Sequence, residues 1–169
     1  MFVASEMMFF GALISAFLIV KSGNIMWPPP GQPRLPISLT AVNSLFLVGS
    51  GILVYLSNQS LLKGDKAGSK RLLGIAILCG LVFLGIQGFE WVRMLQHGLT
   101  MTSSTYGSFF YMIIGCHGLH VTGAILVLIN IYRKFAKGSL NPESYWGVQV
   151  FWYFVVGVWP ILYVLVYLT

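Results

Sequence analysis

The sequence predicts an all-α, polytopic bundle of five membrane-spanning helices. Three observations carry that reading. First, 57% of the 169 residues are hydrophobic and only 8% are charged, against about a quarter charged in a soluble domain. Second, the apolar residues fall into five runs of about 20, the length a helix needs to cross hydrocarbon. Third, the Lys and Arg residues cluster at the ends of those runs, where cations fix topology. The formal net charge of +6 therefore points to membrane topology. No basic patch with interleaved aromatics supports nucleic-acid binding.

The spans are expected at about Phe2–Val20, Ser38–Leu56, Leu72–Leu95, Tyr106–Tyr132 and Val148–Leu168, as one helical domain over residues 1–169. The first reads as a retained helix, since no basic region or cleavage site frames it as a signal. It carries small residues four apart, Gly11 with Ser15 and Ala12 with Ala16, a spacing that lets backbones meet closely in lipid. The loop after it, "WPPPGQPRLP", holds five prolines and reads as a stiff extended turn with Trp27 at headgroup level. The second loop carries Lys63, Lys66, Lys70 and Arg71 against Asp65. The third loop has neither Lys nor Arg, with Arg93 just before it. The fourth carries Arg133, Lys134 and Lys137. Positive charge thus gathers on the second and fourth loops, which places them and the N-terminus in the cytoplasm and the C-terminus outside. Gly115, Gly118 and Gly123 mark close contact on the fourth helix, and Pro160 should kink the fifth. Cys79 and Cys116 read as buried thiols; no CxxC or zinc spacing is present.

Ionisable groups inside the apolar runs are the informative ones, because insertion penalises each by roughly 2.5–3.5 kcal/mol at a helix centre. Glu90 lies three residues before Arg93, a spacing at which the two share a face and pair. His117 and His120 share a helix face. They admit metal or haem ligation or interhelical hydrogen bonding. The only other histidine, His97, is placed in a loop, so packing and hydrogen bonding to another helix is the reading taken, with no metal or cofactor held by the chain. Glu6 has no basic residue three or four positions away. It lies roughly 7–8 Å past the first residue, in the cytoplasmic leaflet by the loop charges. It must therefore meet another helix, a lipid headgroup, water or a proton. No phosphate loop, nucleophile elbow or file of acids is present, so an independent transporter or enzyme is disfavoured.

"SEMMFFGALISAF", "WPPPGQPRLP", "GFEW", "YGSFFYMIIGCHGLHVTGA" and "FWYFVVGVWPILYVLVYL", in that order, resemble subunit III of haem–copper respiratory oxidases. The resemblance implies a non-catalytic membrane subunit that stabilises catalytic subunit I of a proton-pumping cytochrome c oxidase, the enzyme that reduces O₂ to water. It implies lipid binding, support for proton uptake, and contact with subunit II and other subunits. Haem and copper would sit in the partner subunit, with structural phospholipid here. The chain looks like the short five-helix form, in a bacterial or archaeal cytoplasmic membrane. The resemblance places Glu6 at an intramembrane carboxylate near a lipid cleft and proton entry, and Arg133 near a phospholipid headgroup. His117, His120 and Glu90 take further family positions. The last helix departs: Tyr153 and Val156 stand where the family carries His and Asp. That leaves subunit III of a quinol oxidase, or an accessory subunit of a nitric oxide reductase, as alternatives.

Overall fold

A computed structural model describes residues 2–27, 29, 37–138 and 142–168. Most of the proline-rich loop, Arg34 included, lies outside the described residues. Five helices follow one another: α1 (Phe2–Ser22), α2 (Ile37–Leu62), α3 (Lys66–Gln96), α4 (Thr105–Ala136) and α5 (Pro142–Leu162), the last running into a π-helical turn at Tyr163–Tyr167. No strand occurs among the described residues. All five helices are long and apolar enough to cross a membrane. The chain past Pro160 does not leave the helix. Pro160 lacks the N–H that would close an α-turn, and the winding loosens into the π turn three residues on.

The helices are longer than their apolar runs. α3 begins at Lys66, six residues before the apolar segment, because Asp65 caps it by accepting from Gly68 N–H at 2.9 Å. Ser104 caps α4 in the same way through Gly107 N–H, at 3.0 Å. Between α2 and α3 the chain turns on Gly64, whose φ of +83° suits glycine.

That tight turn makes α2 and α3 an antiparallel hairpin, joined by side chains at heptad-like spacing on α2. Thr40 donates to Glu90 Oε1 at 2.7 Å, Asn43 to the Phe83 carbonyl at 3.1 Å, Ser50 to the Ala76 carbonyl at 2.8 Å, and Ser57 to the Ser69 carbonyl at 2.9 Å. Lipid gives no hydrophobic drive between helices, so such bonds and small side chains fix the contact. α4 packs against α3 and α5, and α5 also against α2. Trp152 and Trp159 of α5 fill the centre, fully buried.

α1 is peripheral. Only Phe10 and Phe17 are buried on it, and it touches α4 and α5. Its small residues Gly11, Ala12, Ser15 and Ala16 all face outward, so the expected close helix contact does not form within the chain. Gly115 and Gly118 of α4 do make a contact, but with a side chain rather than a backbone. A Cβ on Gly115 would stand 3.5 Å from the Trp91 ring, and one on Gly118 3.7 Å away.

Candidate functional site

The site is built on α1 and α4, which run antiparallel. Phe17 meets Phe109 at one end, with Trp27 turned in against Phe17 and Tyr106. Toward the other end, Glu6 Oε2 lies 2.8 Å from His120 Nε2. Both side chains are about a fifth exposed.

The tautomer follows from the second contact of His120. Its Nδ1 lies 2.6 Å from the Cys116 carbonyl. A carbonyl only accepts, so Nδ1 carries a hydrogen. Nε2 and the carboxylate then share one further proton. Either a neutral carboxyl donates to Nε2, or an imidazolium donates to a carboxylate. Both arrangements carry no net charge, which is how an acid is held inside the bundle. Chemically, the pair can store one proton and pass it across a single hydrogen bond. Phe9, Phe10 and Phe151 flank the imidazole with ring centroids 5.2–6.5 Å away.

His120 also forms part of the wall of an apolar groove of about 540 Å³, bordered by Phe2, Leu119, Gly123, Val127 and Phe151. A Cβ on Gly123 would meet nothing within 4 Å, so no helix of this chain packs against that glycine.

The tertiary register decides what lies beside Glu6. The acid lies one turn inside α1, yet its partner is at the middle of the 32-residue α4. Arg133 is thirteen residues beyond His120, about 20 Å along the axis, and exposed. Glu6 and Arg133 therefore do not form one site.

His117 behaves differently from His120. It is 1% exposed and neither ring nitrogen has a hydrogen-bond partner. It stacks on Trp159, centroids 5.0 Å apart and planes 25° apart, with Phe10 and Phe83 at its edges. The hydrogen bond to another helix expected of both histidines is made by His120 alone.

Glu90 does not pair with Arg93. The carboxylate is 1% exposed and accepts from Thr40, from Gln87 Nε2 at 3.0 Å and from Tyr167 at 3.5 Å. Arg93 is exposed, and its carbonyl serves the C-cap of α3. The π turn explains the difference, since it brings Tyr167 into the core beside Glu90. Sequence spacing alone missed Thr40, Gln87 and Tyr167. The polar residues at 40, 43, 50 and 57 of α2 were a readable stripe that pointed to an α3 partner. Cys79 and Cys116 are free thiols, half-buried. In α5, Val156 seats against Gly51 so closely that a Cβ there would lie 3.1 Å from it. Tyr153 is exposed.

Comparison with known proteins places this geometry in context. The chain is 36% identical over 172 residues to the cytochrome c oxidase subunit 3 of Synechocystis sp., covering 99% of this chain and 72% of that protein. It is 31% identical over 171 residues to the cytochrome c oxidase subunit 3 of Thermostichus vulcanus, with 99% and 83% coverage. It is 33% identical over 172 residues to the probable cytochrome c oxidase subunit 3 of Mycobacterium leprae, with 97% and 82% coverage. The match to the family described as cytochrome c oxidase subunit III extends over residues 1–169. With every helix and both members of the Glu6–His120 pair inside that match, the chain belongs to the cytochrome c oxidase subunit III family.

Proposed function

We propose that this chain is the non-catalytic subunit III of a proton-pumping terminal oxidase of the cytochrome c oxidase type. It stabilises catalytic subunit I, holds lipid, and supports proton uptake. The observation that carries the reading is the Glu6–His120 pair at 2.8 Å, set in a chain that matches the family end to end. A proton-sharing pair beside an apolar groove suits a site where an acyl chain lies against a titratable group. Haem and copper belong to the partner in this reading, and subunit II and others complete the assembly. The loop charges orient the chain with its N-terminus in the cytoplasm, in a bacterial cytoplasmic membrane. Arg133, exposed near the end of α4, is placed to meet a lipid headgroup there, separately from Glu6.

Purification of the membrane complex through this chain tests the reading. A larger haem-bearing chain should co-purify, and a stable haem-free monomer would overturn it. Glu6→Ala should still assemble, because the buried anchors of α1 are Phe10 and Phe17, while lipid content or turnover lifetime should fall. Wild-type values for both would make Glu6 a bystander. Tyr153 and Val156, standing where the family's His and Asp are expected, favour a second reading as subunit III of a quinol oxidase or an accessory subunit of a nitric oxide reductase. The identity of the co-purifying catalytic chain decides between them.

A further inference from the structure

A second groove, of about 500 Å³, lies between α3 and α4 on a wall separate from the Glu6–His120 pair. Two of the chain's seven methionines and one of its two cysteines border it: Met101, Met112 and Cys116. Met112 and Cys116 are four apart on α4, so they share a face with Cβ atoms about 5–6 Å apart. Met101 lies in the turn that leads into α4, and its carbonyl accepts from Ser108 Oγ at 2.5 Å. Ser108 is one helical turn before Met112. Met101 thus stands at the mouth of the groove, a turn from Met112, and the three sulfur side chains follow one wall from the loop to roughly 16 Å along α4.

The sulfurs are open to a guest. Met101 is 52% exposed and Met112 46%, and Cys116 is a free, half-buried thiol. Two thioethers and a thiol are soft donors, and such a set selects Cu(I). Among the described residues no three His, Cys, Asp or Glu side chains gather to hold a metal, so harder ions find no matching set. The spacing that argues against a metal on His117 and His120 does not bear on thioethers.

Charge makes the same choice. A thiol binds metal as the thiolate. One thiolate, two neutral thioethers and Cu⁺ sum to zero, with one proton released. A divalent ion would leave a positive charge uncompensated in hydrocarbon, which is costly. Trp91 borders the same groove, with its ring tip over Gly115 and Gly118. An aromatic ring beside a cation adds attraction, and the unbranched methionine side chain can swing its sulfur to meet the ion.

We propose that Met101, Met112 and Cys116 form a binding site for Cu(I), with Met101 taking the ion at the loop and Met112 and Cys116 holding it inside the groove. The ion keeps its oxidation state throughout. Cys116 loses a proton to solvent on binding and regains one on release. The site is additional to the subunit III reading and does not depend on it.

The test uses the protein as purified from its membrane, with the partners it carries, reduced and under argon. Cu(I) is supplied as its bathocuproine disulfonate complex, and loss of the complex's colour reports transfer to protein. Wild type should take up one Cu(I) more than Cys116→Ser does, and release one proton with it. Met112→Leu should weaken uptake at least roughly tenfold, since even a change one shell beyond the ligands shifts metal affinity 10–100-fold. Met101→Leu should slow uptake more than it weakens binding. Cys79→Ser, at the separate α2–α3 groove, is the control and should match wild type. A second measurement needs no variant: Cu(I) should protect Cys116, but not Cys79, from iodoacetamide, as mapped by mass spectrometry. Uptake unchanged in both Cys116→Ser and Met112→Leu would overturn the proposal, as would alkylation of Cys116 that is indifferent to Cu(I). Equal protection by Zn(II) would overturn the choice of a soft monovalent ion.

Discussion

Glu90 gives the sharpest test of the fold, because pairing with Arg93 and burial in a hydrogen-bonded cluster predict different mutational patterns. The carboxylate is the acceptor shared by Thr40, Gln87 and Tyr167, drawn from α2, α3 and the π turn. Glu90→Ala removes it. Gln87 and Tyr167 keep each other at 3.0 Å, so the penalty is less than that of three stranded donors. All three bonds to the carboxylate are lost; the one from Tyr167, at 3.5 Å, is long and contributes little, so two count. At about 1–2 kcal/mol for each buried bond lost, including the desolvated partner left behind, the cost is about 2–4 kcal/mol. Arg93→Ala removes an exposed side chain and should stay within about 0.5 kcal/mol of wild type. The assay is SDS-induced unfolding of the detergent-solubilised protein, followed by tryptophan fluorescence; Trp159 lies 6.4 Å from the Tyr167 ring and reports on the cluster. Equal losses in the two variants would restore the ion pair. A Glu90→Ala variant as stable as wild type would show that the cluster holds nothing together.

Two other outcomes follow from backbone geometry and packing. Gly64→Ala places a side chain at φ +83° and should cost about 1–2 kcal/mol in the same unfolding assay; no change would mean that the α2–α3 turn relaxes freely. Gly80→Val sets a branched side chain where a Cβ already lies 3.1 Å from both Ile125 and Trp152, and should cost about 1–3 kcal/mol through overpacking. A neutral result there would show that α3 and α4 are not in close contact at that level.

The sequence by itself determined the fold class, the number of spans and which residues bear explanation. Those properties depend on local chemistry: twenty apolar residues form a helix in lipid because every backbone group must be bonded within its own segment. Glu6, His117, His120 and Glu90 stood out for the same reason, since each carries a polar group where the solvent offers none. The family resemblance was legible too, because its motifs are contiguous stretches of chain.

Partners were not legible, because a helix face says what it offers and not what it meets. His117 and His120 share one face of α4, yet the register of α1 gives Glu6 to one and an aromatic stack to the other. Glu90 and Arg93 have the spacing of an ion pair, but the loosened winding after Pro160 turns Tyr167 toward the acid and leaves the arginine outside. The partner of Glu6 depends on where α1 lies along α4, about which its own helix says nothing. The helix-forming chemistry acts within a few residues, whereas each of these pairings joins segments dozens of residues apart, and only packing fixes how such segments align.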